Sequence, residues 1–504
     1  MSYERKISPR AENFVSAHES ILNVMKKNDR FLSLLGYLGL GGIDEDLATL
    51  SEIVKKIPDE NLRWDVLDWM TEKILLPEDP LVMAHVQKYI VMMLTVISTN
   101  DYLHGVPSFL NEEEILNGPY RDRALLISKS YAFLFFMDDR FGNENYSQLQ
   151  DHEKREVKAS TKRIAAYLNG MYTRQPVSTE ADGILVMQLH RAERAFYELV
   201  DEFKEKLPDT PEALAWWEEF KVRMIDHLKL GNDDLNKNYT VKTYAKDRQA
   251  ASGMNWAAIM GEFLYFKFIP RHKLETNPDL ADFDQLLTKT EQLYKRGGGE
   301  INDDFSFVKE VIDKGSAVNI MVVVFNKIIE EKRADTYSKE EVRELVRFLY
   351  TIADQELVEV LAHTFFDILA QEGVDDDEPL VTEHFLEITY LETIKRNSEL
   401  RTKLLVDFFT NQETLSEMLE EKYQQGILTE DEYQALKFKL ADWLIGILAT
   451  IVWQLTEGYP RYENEAAIFQ VLRPDDKKRA SVLKMLGFHN QKRYQSAHHS
   501  LSPT

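Results

Sequence analysis

Apolar residues recur at steps of three and four along most of this chain, which is the spacing of one face of an α-helix. The pattern is clearest in residues 185–203, 318–329, 342–361 and 436–453. The sequence holds no series of alternating β-branched runs joined by turn dipeptides, the pattern typical of a sheet. Pairs such as Gly118-Pro119 and Asn277-Pro278 fall where helices would end. The sequence therefore predicts an all-α fold, a single large bundle of a dozen or more helices.

Charge and composition exclude several classes of function. The chain has 504 residues, of which 61 are Lys or Arg and 85 are Asp or Glu, so its net charge is −24. Such an acidic body repels a phosphate backbone, and we expect no nucleic-acid partner. The absence of cysteine excludes disulfides, thiolate metal ligands and a cysteine nucleophile.

The apolar segments give no sign of a membrane protein. Residues 1–13 are polar and charged and do not resemble a signal peptide. The most apolar stretch, residues 443–453, is shorter than the roughly 20 residues that span a bilayer, so we interpret it as a core helix. We therefore expect a cytoplasmic monomer or homodimer with no membrane span.

A stripe of oxygen ligands is the most specific chemical feature of the chain. Asn302, Ser306 and Glu310 follow one another at steps of four residues, which places them on one helix face about 6 Å apart. Amide, hydroxyl and carboxylate oxygens suit Mg²⁺, which leaves other positions to water and phosphate. Lys309 lies beside the stripe and could reach a phosphate. The alternative is an ordinary polar helix face.

A second acidic site stands at the end of an apolar helix. Asp138 and Asp139 close this helix, Gly142 indicates its end, and Glu144 follows. The side chains that share the face of Asp138, one and two turns earlier, are Tyr131, Leu134 and Phe135. The pattern predicts metal-binding carboxylates at the rim of an aromatic pocket. The alternatives are a solvated helix end and a plain apolar core.

Two basic segments could bind an anion beside the oxygen stripe and the acidic site. Arg248 precedes Ser252 and Gly253 in one segment, and an Arg461-Tyr462 pair follows Pro460 in the other. Arginine suits phosphate because its planar guanidinium donates two parallel hydrogen bonds. Taken singly, Arg248 is equally well a surface charge and Arg461 a helix cap.

In this order, the four segments resemble those of class I terpene synthases, also called terpene cyclases. That family has an aspartate-rich motif, a diphosphate-sensing arginine, an Asn-Asp-x-x-Ser-x-x-x-Glu motif and a late Arg-Tyr pair. The matching residues here are Asp138, Asp139 and Glu144; Arg248; Asn302, Asp303, Ser306 and Glu310; and Arg461 with Tyr462. The resemblance covers roughly residues 60–470. Glu144 lies further from Asp138 than is usual, and Ala251 replaces the acid expected after the sensor arginine.

The resemblance implies a helical bundle that ionises a linear prenyl diphosphate, farnesyl or geranylgeranyl diphosphate, with three Mg²⁺ ions or with Mn²⁺ in their place. The acidic motif and the Asn-Ser-Glu stripe would hold the ions. Arg248, Lys309, Arg461 and Tyr462 would bind the diphosphate. The pocket would be formed by Tyr131, Leu134, Phe135, Ser252, Gly253, Trp256 and Trp453. The carbocation would then cyclise, and loss of a proton or capture of water would give a sesquiterpene or diterpene.

The resemblance also divides the chain. Residues 1–60 would be a helical extension, residues 61–472 the catalytic domain with extra helices between the second metal motif and the Arg-Tyr pair, and residues 473–504 a basic tail. A prenyl-chain-elongating synthase is one alternative, although it uses two aspartate-rich motifs. A non-enzymatic helical scaffold with an acidic surface is the other.

Overall fold

The fold is all-α, as the sequence predicts. The structure is a computed structural model, and it describes residues 60–76, 118–142, 146, 148–177, 183–230, 239–307, 318–332, 336–352, 365–371, 373–381 and 385–455. The helices of the first half are α1 Glu60–Lys73, α2 Pro119–Phe141, α3 Asp151–Leu168, α4 Ile184–Lys206, α5 Pro211–Leu230, α6 Val241–Ala251, α7 Met254–Tyr265 and α8 Arg271–Thr276. Those of the second half are α9 Ala281–Phe307, α10 Ile320–Glu331, α11 Lys339–Ile352, α12 Phe385–Gln424 and α13 Glu430–Leu455.

Only short stretches of other regular structure occur in the described residues. A 3-10 turn at Pro278–Leu280 joins α8 to α9. The strands β1, Thr336–Tyr337, and β2, Leu380–Val381, pair antiparallel, with Thr336 opposite Val381. Helices α10 to α13 all follow the second candidate metal motif in the sequence. No described helix is long and apolar enough to cross a membrane.

Helix α9 is the central element of the bundle. It packs against α6, α7, α12 and α13, and α7 in turn packs against α2. One apolar cluster lies among α1 to α5 and α7, and a second lies among α9, α12 and α13. Phe135 of α2 contacts both clusters. A residue on α2 is therefore connected through the core to the helix that carries Asn302.

Aromatic side chains fill the first cluster. Trp216 stacks on Phe263 with ring centroids 5.2 Å apart, and its indole N–H donates to the carbonyl oxygen of Ile259 at 2.8 Å. Phe203 and Phe220 pack beside them at a centroid distance of 5.0 Å. Truncation of one such buried ring to alanine costs about 3–5 kcal/mol. This cluster fixes α5 and α7, the helices behind the candidate site.

Three consecutive glycines lie in the middle of α9, where each would cost a helix about 1 kcal/mol relative to alanine. The helix nevertheless runs unbroken through Gly297-Gly-Gly299. A β-carbon on Gly298 would lie 2.4 Å from Cγ of Met254, and one on Gly299 would lie 3.2 Å from Cγ of Arg248. One on Gly297 would lie 3.0 Å from Cδ1 of Ile447. The glycines allow neighbouring helices to approach α9 closely.

Candidate active site

A break between two helices positions Arg248. Thr240 begins α6 with a side-chain oxygen that accepts from the backbone N–H of Thr243 at 3.2 Å. The helix ends where the N–H of Ser252 donates to the carbonyl oxygen of Arg248 at 2.9 Å. After exposed Gly253, α7 begins at Met254. Arg248 therefore lies in the last turn of α6, directly before the break.

Arg248 contacts the helix of the second metal motif. Its Nη2 lies 2.7 Å from Oδ1 of Asp303, and the Asp303 side chain is fully buried. The Tyr244 hydroxyl donates to the same carboxylate. The side-chain amide of Asn319, the N-cap of α10, donates to the backbone carbonyl oxygen of Asp303 at 2.8 Å. Burial raises the pKa of the Asp303 carboxyl, although Arg248 and Tyr244 favour its ionised form.

The first two members of the oxygen stripe lie on one continuous helix. Helix α9 extends to Phe307, so Asn302 and Ser306 are one turn apart on the same face. Asn302 is half-buried, whereas the next residue, Asp303, is fully buried against α6. For Ser306 the structure describes the backbone only, and Lys309 and Glu310 lie outside the described residues.

The acidic motif ends α2, as its sequence indicates. Asp138 is exposed in the last turn, and the N–H of Gly142 donates to its carbonyl oxygen at 2.9 Å. A β-carbon on Gly142 would lie 2.8 Å from Oδ1 of Asp138, so only glycine leaves the carboxylate this position over the helix end. For Asp139 the structure describes the backbone only, and Glu144 lies outside the described residues.

Aromatic residues of α2 and α7 meet in the core. The rings of Tyr131 and Trp256 have centroids 4.0 Å apart, and those of Tyr131 and Phe135 lie 6.3 Å apart. Leu134 and Trp256 are buried, whereas Tyr131 and Phe135 are half-buried. Burial raises the pKa of Tyr131, and the charge of buried Asp442 raises it further. Three of the residues expected in the pocket wall thus contact one another.

Other expected ligands cannot be placed. Among the described residues, no three His, Asp or Glu side chains are grouped so as to hold a metal ion. Arg461 and Tyr462 lie outside the described residues, and for Trp453 the structure describes only the helical backbone of α13. Ser252 is buried beside Gly299, and Gly253 is exposed at the break.

A set of ionised side chains that sequence reasoning missed lies behind this site. Lys439 Nζ lies 2.5 Å from Oε1 of Glu262, and both side chains are almost fully buried. The guanidinium of Arg271 donates to both oxygens of Glu262, at 2.7 and 2.8 Å. We use the name buried charge cluster for the side chains linked in this way by ion pairs: Glu219, Arg223, Glu262, Arg271, Glu291, Lys295 and Lys439.

The buried charge cluster supports the helix break. Arg223 Nη1 donates to the carbonyl oxygen of Asn255, in the first turn of α7, at 2.5 Å. Burial alone would raise the pKa of Glu262, but the cations of Arg271 and Lys439 outweigh it and lower that pKa. Arg223 and Lys295 lower the pKa of Glu291 against its burial in the same way. These carboxylates are therefore ionised at neutral pH.

A further cation near the second motif also escaped the sequence analysis. Burial lowers the pKa of Arg401, on α12, to about 10, although the carboxylate of Glu300 opposes this. Glu300 is buried two residues before Asn302 and pairs with Arg296 at 2.9 Å. Sequence spacing gave no signal for Arg401, because about 100 residues separate it from Glu300 in the chain.

Comparison with known proteins adds distant likenesses. No family model and no curated protein matches this chain. A solved structure of hedycaryol synthase in complex with HEPES is 15% identical over 82% of this chain and 94% of its own, with a TM-score of 0.46. An a-eudesmol synthase is 13% identical over 79% of this chain and 94% of its own, with a TM-score of 0.45.

A third solved structure is similar to the same degree. Germacradien-4-ol synthase from Streptomyces citricolor is 13% identical over 78% of this chain and 94% of its own, with a TM-score of 0.44. A likeness at this level of identity and TM-score does not decide the activity of this chain.

Proposed function

We propose that this chain is a class I terpene cyclase that converts a linear C15 or C20 prenyl diphosphate into a cyclic terpene. The observation that carries the proposal is the contact between Arg248 and Asp303. It joins a candidate diphosphate-binding arginine to the helix of a candidate metal motif, although the two segments are far apart in the sequence. The alternative, a scaffold protein with an acidic surface, does not explain why this arginine should lie next to a stripe of oxygen ligands.

The guanidinium of Arg248 is suited to an anionic leaving group. Its side chain is 18% exposed, so part of it faces solvent while Nη2 remains on Asp303. A diphosphate bound here would receive donors already oriented by the α6 end and by the buried carboxylate, which lowers the cost of ordering them. Lys309, Arg461 and Tyr462 are proposed as further donors to the same group.

The residues of the stripe fit Mg²⁺ by their donor chemistry. Asn302 offers an amide oxygen on a half-buried face, and Ser306 follows one turn later on the unbroken helix. With Glu310 they would hold one ion, and Asp138, Asp139 and Glu144 would hold others. When bound, Mg²⁺ supplies charge neutralisation for the departing diphosphate.

The aromatic residues serve the other half of the reaction. Once the carbon–oxygen bond breaks, its electron pair leaves with the diphosphate, and an allylic cation remains. Rings at the positions of Tyr131, Phe135 and Trp256 would exclude water and present π-faces, each worth about 0.5–2 kcal/mol to a nearby cation. Loss of a proton or addition of water then ends the reaction.

The decisive experiment is incubation with geranyl, farnesyl and geranylgeranyl diphosphates and Mg²⁺, followed by gas chromatography–mass spectrometry and a diphosphate-release assay. We expect cyclic products from one chain length and none in EDTA. A chain-elongating synthase would instead consume isopentenyl diphosphate and give longer diphosphates. A scaffold would release no diphosphate from any substrate, and that result would refute the proposal.

A variant pair tests the residue that carries the proposal. Arg248→Gln removes the cation but keeps a planar amide, and we expect at least a 100-fold loss in kcat/KM. The matched control is Arg347→Gln on α11, which removes an equal charge from a side chain that is 68% exposed. Equal activity of the two variants would show that Arg248 does not bind the substrate.

A further inference from the structure

A cavity outside the candidate active site lies between α3, α4 and the segment 174–177. Its volume is about 650 Å³. Two contacts show that the two helices run parallel. Nε2 of His190 on α4 lies 2.9 Å from Oε1 of Glu156 on α3. Eleven residues later on each helix, Asp201 accepts a hydrogen bond from the Tyr167 hydroxyl at 2.6 Å. Their N-terminal halves therefore line the same cavity.

The lining is rich in cations, although the chain as a whole is strongly acidic. The charged and titratable side chains among the lining residues are His152, Arg155, Glu156, Arg163, Arg174 and His190. Glu156 is the only acid among them. Its carboxylate accepts from Arg163 at 2.7 Å as well as contacting His190. The lining consequently carries an excess of positive charge.

Two of these cations are available to a ligand. Arg155 of α3 and Arg174 of the segment between α3 and α4 are exposed and make no hydrogen bond or ion pair with any other described residue. Arg163, in contrast, is occupied by Glu156 and by both carboxylate oxygens of Glu193, at 2.7 and 2.8 Å. Arg155 and Arg174 would therefore supply the direct contacts to an anion.

Two further features point to an anion in this cavity. The His190 side chain is only 8% exposed, and its Nδ1 is buried without a hydrogen-bond partner among the described residues; with Nε2 on Glu156, Nδ1 becomes a donor to an anion in the imidazolium form. Helix α4 begins after Gly183, at a φ of 82° that suits glycine, with no side-chain cap and no acid in its first turn. Val186, in the first turn of α4, lines the cavity, so the partial positive charge of the helix start lies near the cavity without a compensating side chain.

We propose that this cavity binds the phosphate group of a small phosphorylated molecule. A dianionic phosphate matches two planar guanidinium groups and the start of a helix, which is the usual chemistry of phosphate recognition. The volume exceeds that needed for phosphate alone, and Pro176 and Val186 offer apolar surface to an organic substituent. The site does not involve the residues proposed to act on prenyl diphosphates, so it stands independently of that function.

The test is calorimetric titration of the full chain with phenyl phosphate in a magnesium-free buffer containing EDTA. We expect saturable binding, weakened about tenfold or more in the double variant Arg155→Gln/Arg174→Gln, since each tenfold corresponds to about 1.4 kcal/mol. Benzoate, which carries the same ring with one negative charge on a carboxylate, should bind much more weakly. Thermal melting of the variant should be unchanged, because both arginines are exposed.

Three comparisons make the result specific. The double variant Arg343→Gln/Arg347→Gln, on the surface of α11, removes the same charge and should bind as the wild type does. Arg248→Gln, titrated at a temperature where circular dichroism shows it to be folded, should also bind normally. Glu156→Gln, which removes the only acid of the lining, should tighten binding several-fold. The proposal is overturned if the wild type shows no saturable binding, if Arg155→Gln/Arg174→Gln binds equally well, if benzoate matches phenyl phosphate, or if Arg248→Gln loses the ligand.

Discussion

The ion pair between Arg248 and Asp303 predicts a measurable coupling energy in the folded protein, whatever the substrate is. Asp303 is fully buried and Arg248 is 18% exposed, so the pair lies largely outside water. Removing one partner of a buried pair costs about 3–5 kcal/mol, because the other charge is left without compensation. Since Arg248 retains some access to solvent, we expect about 2 kcal/mol for Asp303→Asn and about 3 kcal/mol for Arg248→Gln.

The double variant separates the interaction from its parts. When both charges are absent, no uncompensated ion remains, so Asp303→Asn/Arg248→Gln should be less destabilised than the sum of the single variants by about 2 kcal/mol. The measurement is urea unfolding followed by circular dichroism at pH 7, with the free energy of unfolding compared across the four proteins. The reasoning fails if the coupling is below about 0.5 kcal/mol.

An exposed pair of similar geometry provides the control. Arg396 Nη1 lies 2.5 Å from Oε2 of Glu331, but the two side chains are 33% and 42% exposed. Coupling energies of such surface pairs are about 0.2–1 kcal/mol. The cycle built on Arg396→Gln and Glu331→Gln should therefore give a clearly smaller coupling. Equal values in the two cycles would mean that burial does not strengthen the Arg248 pair.

Three other outcomes are expected. At the carboxylates of the buried charge cluster, whose pKa values are lowered, the folded state binds fewer protons than the unfolded state; these groups should leave the thermal melting temperature constant above about pH 5.5 and lower it as the pH drops below about 4.5. Gly261→Ala places a β-carbon 2.4 Å from Oδ2 of buried Asp442, and urea unfolding should show a loss of about 1–3 kcal/mol despite the better helix propensity. Asn302→Ala and Asp138→Ala should each abolish diphosphate release in the turnover assay while the far-ultraviolet circular dichroism stays unchanged; retained turnover in both would refute the metal assignment.

Helix periodicity was sufficient to predict the class of fold, because each helix carries its own apolar face. The predicted helix at residues 436–453 corresponds to α13, Glu430–Leu455, and that at residues 185–203 to α4, Ile184–Lys206. The acidic run at residues 375–378 lies in an exposed turn between Gly373 and Pro379, residues that favour a turn. These features depend on local spacing and turn residues, which a single sequence contains in full.

Contacts between distant segments were not predictable in the same way. Sequence reasoning placed Arg248 beside a phosphate but named no protein partner for it, whereas the structure pairs it with Asp303. The partners of Glu262 on α8 and α13 were likewise not foreseen, since no spacing rule relates residues that meet only after the bundle has folded. Local propensity alone disfavours the three glycines of α9, and only their neighbours on α6, α7 and α13 give a reason for them.

The buried charge cluster has a consequence for the order in which this protein can fold. Its members come from α5, α7, α8, α9 and α13; the pairs Glu219–Arg223 and Glu291–Lys295 lie within one helix, and the other ion pairs of the cluster join different helices. A partly assembled form would hold bare charges in an apolar medium. Amide protons in these five helices should therefore exchange with solvent at a common rate, and a chain shortened before α13 should not retain a folded half.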